Sequence, residues 1–403
     1  MSEQAPADPG RFFVKVLADQ HYQKGVHYAA QGDWAHALAA YRRACAYDPG
    51  NVLFLLARGH LCQAHGPQPE AEACYREALR LRPNDPIVLY NQAQLFAARG
   101  DLDRARANLT RIVDGEVDAL EERAAPIFCR LGDIALRRED YDGARVYFQR
   151  AQELAPGHHY ATAALTGLPR FAEFEAPFTL DGRIAPKIAV YGYLGAVLLG
   201  MPDDDGIDVP AYPGLGFDSL AEVAQVLARF AVLVRRAGLI FDAVAALEAE
   251  SQPMAIALAS ALAVRSFAGA ETVPHGSRVL GIAATGAQPA HLAERVATLR
   301  GRASETLVYA VGLAEPVWDY PFPIQAVTAP IRLEYPWNRK EASALEHAEA
   351  YGGELATLLV PALVALPGEY LEAQLAWYRA HPRLNFALTS ASPMRSRAPS
   401  SAW

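Results

Sequence analysis

Residues 25–49 read GVHYAAQGDWAHALAAYRRACAYDP, and residues 59–83 read GHLCQAHGPQPEAEACYREALRLRP. The second stretch lies 34 residues after the first and aligns with it at seven positions, namely Gly25/Gly59, Tyr28/Cys62, Gly32/Gly66, Ala37/Ala71, Tyr41/Tyr75, Ala44/Ala78 and Pro49/Pro83. A period of this length with small residues at fixed positions is typical of stacked helical hairpins. We therefore predict that the N-terminal half is an all-α solenoid.

Each repeat is expected to consist of two helices, which we call helix A and helix B. Gly25 and Ala37 are small enough to let the two helices approach, and Tyr41 fills the space between them. Proline cannot continue a helix, so Pro49 is expected to end helix B. The aspartate of the intervening Gly-Asp-Trp turn, Asp33, is placed to cap helix B.

Two further copies follow with small changes of register. The third keeps Ala93, Gly100 and Ala105, and the fourth is shifted by five residues, with Gly132, Ala135, Ala144, Phe148, Ala151 and Pro156 at the repeat positions. The extra residues fall within 113–124, which predicts a longer helix B or a longer loop in repeat three. Four copies satisfy the minimum of about three that a continuous repeat core requires.

Residues 18–157 resemble the tetratricopeptide repeat family. The resemblance implies a concave groove lined by helices A, here including Tyr22, Val26, Leu56, His60, Gln63, Tyr90, Gln94 and Asp133. Family members that grip a C-terminal carboxylate use Lys, Arg and Asn in the groove, whereas this lining is largely neutral and aromatic. Two occupants stay open: an apolar or aromatic peptide of a partner protein, or the C-terminal half of this chain by intramolecular docking.

The C-terminal half, residues 171–388, alternates apolar runs with amphipathic segments. We predict a strand, or a strand plus turn, at 187–199 and strands at 239–247, 278–283 and 305–313, with helices at 218–237, 254–264 and 290–301 between them. Such alternation favours an α/β domain with a mainly parallel sheet. Residues 158–170 are interpreted as a linker or cap, 1–17 as an N-terminal extension and 389–403 as a disordered tail.

Two loops of this half could bind phosphate. The second, Thr285, Gly286, Ala287 and Gln288, follows a buried strand, and such turns point backbone N–H groups at a following helix. Residues 190–315 resemble type I phosphoribosyltransferases, and the resemblance implies a first loop at 248–253, with Glu248, Ser251 and Gln252. The family has two acidic residues just before the second loop. Here residues 280–283 are Leu-Gly-Ile-Ala and contain neither, which argues against phosphoribosyl transfer.

Composition limits the kinds of partner. The net charge of −8 argues against nucleic acid, and no apolar run approaches the roughly 20 residues of a membrane-spanning helix. The residues before Gly10 show no secretory signal, which predicts a cytoplasmic protein. The four cysteines and the scattered histidines lack metal-ligand spacing, so neither a metal nor a cofactor is predicted.

These observations favour a protein-interaction or scaffold protein with a non-catalytic second half. The alternative is an enzyme that transfers or hydrolyses a phosphorylated small molecule while its repeats recruit a partner or substrate protein. The missing acidic pair makes an enzyme the less favoured interpretation.

Overall fold

A computed structural model of the chain describes residues 9–120, 124–179, 184–201, 216–284, 288–313, 324–329, 333–339, 347–366 and 368–385. The chain divides into two compact units, the first comprising residues 1–156 with 178–183 and the second comprising 157–177 with 184–403. The predicted tail, 389–403, lies outside the described residues.

The described residues up to 156 form helices joined by turns. The helices are α1 (Pro9–Ala30), α2 (Trp34–Tyr47), α3 (Val52–His65), α4 (Gln68–Leu81), α5 (Pro86–Ala98), α6 (Leu102–Leu120), α7 (Ala125–Arg137) and α8 (Tyr141–Leu154). Consecutive helices pair as helices A and B of four repeats. Asp33 caps α2 by accepting a hydrogen bond from the backbone of His36, as predicted. Helix α6 has 19 residues against 14 in α2, which confirms the longer helix B of repeat three.

A glycine of helix A packs against an aromatic ring of helix B in three of the repeats. A Cβ atom added to the glycine would lie 2.5 Å from the ring in the pair Gly25–Tyr41, 2.7 Å in Gly59–Tyr75 and 2.6 Å in Gly132–Phe148. Each aromatic residue follows its glycine by 16 positions. The glycine is therefore required because the ring occupies the volume that any side chain would need.

Repeat three fills the same position differently. Ala93 and Leu109 occupy the two positions, and both are buried. Here the helix A residue is larger and the helix B residue smaller than in the other repeats. Beside them Asn108 donates a hydrogen bond of 2.8 Å to the Gln92 side chain, and both side chains are buried.

An ion cluster joins repeats one and two. The carboxylate of Glu70 in α4 accepts hydrogen bonds from Arg42 of α2 at 2.8 Å and from Arg58 of α3 at 2.7 Å. Hydrogen bonds from Arg42 and then from Arg58 lower the pKa of Glu70 to about 2. The cluster is thus ionised at neutral pH and connects three helices.

The second unit is built on a six-stranded parallel sheet. Its described strands and helices are α9 (His159–Phe171), α10 (Pro186–Ala189), β1 (Val197–Leu198), α11 (Leu220–Arg236), β2 (Ala243–Ala246), α12 (Gln252–Leu262), β3 (Arg265–Phe267), β4 (Arg278–Ala283), α13 (Pro289–Arg302), β5 (Glu305–Gly312), β6 (Ala326–Ala329), α14 (Ala348–Ala365) and α15 (Gly368–Ala380). The strand order is β1-β6-β5-β4-β2-β3, and every pair is parallel. The predicted parallel sheet with helices is therefore present.

Helices cover both faces of this sheet. Leu280 and Ile282 of β4 join the large core that includes residues of α11, α12 and α14. Gly281, between them, faces Leu299 of α13 on the other side. Successive residues of a strand point to opposite faces, so α13 lies across the sheet from the other three helices.

The strand predicted at 187–199 is wrong over most of its length. Residues 186–194 form α10 and a π-helical turn, and only Val197–Leu198 is a strand. Short apolar runs fit a buried helix as well as a strand, and this one carries no period that separates the two. The sequence also missed β3, which is short and largely exposed, and β6, which lies in a segment rich in proline and aromatic residues.

A buried arginine fixes the segment that follows α15. Arg170 of α9 donates hydrogen bonds to the Arg383 carbonyl at 2.7 Å, to the Asn385 side chain at 3.1 Å and to the Gly192 carbonyl at 3.1 Å. Burial lowers the pKa of Arg170 from its ordinary value. Residues 383–385 are thereby held against α9 and the π-helical turn.

Candidate functional site

Large apolar side chains of helices A are exposed in repeats one to three, among them Val26, Leu53 and Ile87. The exposed fractions are 41% for Val26, 54% for Leu53 and 61% for Ile87. Val26 is a predicted groove residue, whereas Leu53 and Ile87 were missed. Leu53 and Ile87 are 34 positions apart, so the repeat period contained the signal: both are the second residue of their helix.

Several predicted groove residues make packing contacts or hydrogen bonds within the repeats. Tyr22 stacks on Phe54 with ring centroids 5.1 Å apart, and Leu56 packs against the same core. Gln63 accepts a hydrogen bond of 2.9 Å from the Tyr75 hydroxyl. His60 is exposed and Tyr90 is half-buried.

A cavity of about 290 Å³ lies between α5 and α7, the helices A of repeats three and four. Its lining consists of the apolar residues Ala93, Ala97, Ala98, Leu109 and Ile134 and the polar residues Gln94, Arg130, Asp133 and Arg137. The cavity brings together two predicted groove residues, Gln94 and Asp133. The sequence reasoning missed the two arginines, which follow one another at seven-residue spacing on α7.

The reversed packing of repeat three leaves room for this cavity. Leu109 lies in the cavity wall at the position that Tyr41, Tyr75 and Phe148 occupy in the other repeats. An aromatic ring reaches further than leucine, and alanines supply much of the remaining wall. The smaller side chain of Leu109 therefore leaves volume that an aromatic ring would occupy in the other repeats.

The polar part of the wall carries a net positive charge. Arg130 and Asp133 are 3.4 Å apart, and Arg137 donates to the Ala97 carbonyl at 3.4 Å. Burial, followed by the nearby Asp133, raises the pKa of Cys129 to about 12. This thiol is therefore protonated at neutral pH, which makes it a poor nucleophile.

The side chains of the predicted first phosphate loop are engaged within the loop and with its neighbour. Glu248 accepts a hydrogen bond of 2.7 Å from the Ala284 backbone N–H, and the buried Ser251 donates to the Glu248 carbonyl at 2.8 Å. Gln252 begins α12, and Gln288 precedes α13. The negatively charged carboxylate of Glu248 occupies a backbone N–H that a phosphate would use, and its charge repels an anion.

Thr285, Gly286 and Ala287 lie outside the described residues. The phosphate site and the resemblance to phosphoribosyltransferases therefore stay predictions.

The described ranges offer neither a metal site nor a membrane span. They contain no group of three His, Cys, Asp or Glu side chains close enough to hold a metal ion. Nor does any helix within them combine the length and apolar character needed to cross a membrane.

Family models assign the repeats. Two models described as tetratricopeptide repeat match this chain, one at residues 18–51 and 125–158 and the other at 64–119. The N-terminal half is therefore a tetratricopeptide solenoid, as the 34-residue period predicts.

Three similar proteins match over 34–40% of this chain. A putative cellulose synthase operon protein C of Escherichia coli O157:H7 is 26% identical over 34% of this chain, and the match spans 15% of that protein's length. The photosystem I assembly protein Ycf3 of Cyanophora paradoxa is 26% identical, with 34% of this chain and 68% of Ycf3 covered. The structure of pilF from Pseudomonas aeruginosa is 22% identical, covers 40% of this chain and 69% of its own, and has a TM-score of 0.35.

Proposed function

We propose that this protein is an interaction scaffold whose helices A hold an apolar segment of a partner protein. The observation that carries the proposal is the exposure of Val26, Leu53 and Ile87 on helices A of three consecutive repeats. Burying a fully exposed side chain of this size contributes about 1.5–3 kcal/mol, and these three are about half exposed, so covering them contributes on the order of 3 kcal/mol to a peptide complex. Ycf3 is by name an assembly protein, and a role in bringing proteins together fits the same surface.

Photo-crosslinking in the full chain tests the proposal directly. A benzophenone amino acid at Leu53 is expected to crosslink to a partner protein. The same group at Val146, which is 63% exposed on α8, serves as the control for an apolar position outside helices A. Crosslinks within the chain from Leu53 to the second unit would instead show that the C-terminal half occupies this surface.

Placing charges on the exposed apolar positions tests the same surface by loss of binding. The double variant Leu53→Asp/Ile87→Asp is expected to lose the crosslinked partner, because burying a carboxylate against apolar atoms is costly. Val146→Asp is expected to retain it. Both positions are largely exposed, so the thermal midpoint should change little in either variant. Equal partner yields in the two variants would contradict the proposal.

A further inference from the structure

The cavity between α5 and α7 has the size of a subsite. Its volume of about 290 Å³ is at the lower end of ligand pockets, which span about 300–1,000 Å³. It suits one or two side chains of a bound segment. Ala93, Ala97, Leu109 and Ile134 supply its apolar wall, so an aliphatic side chain is favoured there.

The charges at the cavity point to an anionic neighbour for that side chain. Two arginines and one aspartate give the wall a net charge of +1. Asp133 lies beside Arg130, while Arg137 makes only a long contact of 3.4 Å to a backbone carbonyl among the hydrogen bonds of the described residues. Arginine presents several N–H donors in a fork that matches a carboxylate. Arg137 thus has donors available for a ligand.

We propose that the cavity selects an aliphatic residue next to an acidic residue within the bound segment, with the aliphatic side chain in the apolar wall and the carboxylate on Arg137. The inference rests on the proposed function, because it assumes that the groove holds a peptide. Asp133 repels additional negative charge, so a single acidic residue is expected rather than an acidic run.

Partial burial strengthens the expected ion pair. Arg137 is half-buried, and a half-buried charge is screened by salt less than an exposed one. Hydrogen bonds to charged groups contribute about 1.5–3 kcal/mol, which corresponds to a change in affinity of at least about tenfold.

Selection from a random 12-residue peptide display library on the immobilised full chain tests the inference. Selected peptides are expected to carry Leu, Ile or Met beside Asp or Glu. They would then be synthesised with acetylated N-termini and amidated C-termini, so that only side chains provide carboxylates. Changing the acidic residue of the peptide to its amide should weaken binding about tenfold.

Variants of the protein test separately where the acidic residue and the aliphatic residue of a selected peptide bind. On Arg137→Ala the acid and its amide should bind equally, and on Arg137→Glu the preference should change to Lys or Arg. Arg106→Ala, at an exposed position of α6, should leave the preference intact. Ala97→Phe should weaken every selected peptide at least about tenfold by filling the cavity, whereas Ala107→Phe on the exposed face of α6 should not.

The outcomes separate the two proposals. Peptides that lose binding on Leu53→Asp/Ile87→Asp but are insensitive to Ala97→Phe and Arg137→Glu would overturn the subsite and leave the scaffold proposal standing. Peptides insensitive to all these variants, or a selection that enriches none, would count against the scaffold proposal itself.

Discussion

Repeats two and three have the same pair of helices but fill the space between them with side chains of different size. In repeat two a glycine, Gly59, accommodates the ring of Tyr75, and the buried Tyr75 leaves no room for a side chain there. In repeat three Ala93 and Leu109 divide the same space more evenly, and a cavity opens beside them. The difference shows that a helical hairpin tolerates several volume-conserving fillings, but only some leave a cavity.

The polar links differ in the same way. Glu70 of repeat two forms ion pairs with Arg42 of repeat one and with Arg58 of its own repeat. Thirty-four positions after Arg58 comes Gln92, which takes part in a neutral hydrogen bond with Asn108. At this one position repeat two therefore carries an ion pair and repeat three a neutral hydrogen bond, although an ion pair of Arg99 with Glu72 also joins repeat three to repeat two.

The largest expected effect on stability is the difference between replacing Tyr75 and replacing Leu109, the corresponding helix B residues of repeats two and three. Tyr75→Ala removes a fully buried ring and should lower the free energy of unfolding by about 4 kcal/mol, as for other aromatic-to-alanine changes in cores. Leu109→Ala, beside an existing cavity, should lower it by about 2 kcal/mol. Urea unfolding measures both. Equal losses would mean that the two repeats are packed alike.

A double-mutant cycle tests the size complementarity itself. Gly59→Ala places a Cβ 2.7 Å from the Tyr75 ring and should lower the free energy of unfolding by about 2 kcal/mol, although alanine favours a helix. Combining it with Tyr75→Leu recreates the pair of repeat three, so the double variant should be more stable than the sum of the single losses predicts.

Gly115→Ala serves as the control for that cycle. Gly115 lies in α6 with nothing within 4 Å of an added Cβ. The substitution should therefore raise stability by up to about 1 kcal/mol through helix propensity alone. A destabilisation equal to that of Gly59→Ala would show that the loss is not caused by contact with the ring.

Acid should weaken the ion cluster of repeat two. The pKa of Glu70 is lowered to about 2 in the folded chain and is near 4.5 without its partners. Its contribution is complete above pH 4.5, on the order of 2 kcal/mol after allowing for the exposed Arg42, and is lost as the pH falls towards 2. The difference in unfolding free energy between the wild type and Glu70→Gln should therefore shrink between pH 5 and pH 2.5.

Two comparisons accompany that measurement. Glu77→Gln, which removes an exposed ion pair with Arg80 within one helix, should show a much smaller pH-dependent difference. A pH-independent difference for Glu70→Gln would show that the cluster acts by packing rather than by charge.

The smallest change in stability is expected when repeat three is converted to the plan of its neighbours. Ala93→Gly/Leu109→Tyr exchanges one volume-matched pair for another and should change the free energy of unfolding by less than about 1 kcal/mol. The tyrosine ring should extend into the cavity, so peptides selected on the wild type should bind more weakly. Unchanged affinity for these peptides would show that the size of the residue at position 109 does not determine the space available to them.

The sequence predicted the repeats because each hairpin contact recurs at a fixed spacing. A glycine followed 16 residues later by an aromatic residue identifies the pairs at Gly25, Gly59 and Gly132 from the order of residues alone. The cavity could not be predicted in the same way. It depends on the volume left between α5, α6 and α7, and no single residue type or spacing encodes that volume.

Prediction of the second unit succeeded where strands are long and buried. The bounds of β4 agree with the prediction, and its six residues are nearly all buried. Strand β3 has three residues with no apolar alternation, and β6 has four residues within a segment rich in proline and aromatic residues. Short strands owe their existence to the neighbours that pair with them, so their own residues carry little signal.

The contacts of Arg170 have a consequence for the order in which the chain folds during synthesis. Its acceptors at Arg383 and Asn385 lie 213 and 215 residues later. At synthesis rates of about 5–20 residues per second, on the order of ten to forty seconds pass before a ribosome has added them. The hairpins of the first unit need only neighbouring residues and can close within that interval. The repeats of the nascent protein can therefore fold while the second unit still lacks its last segment.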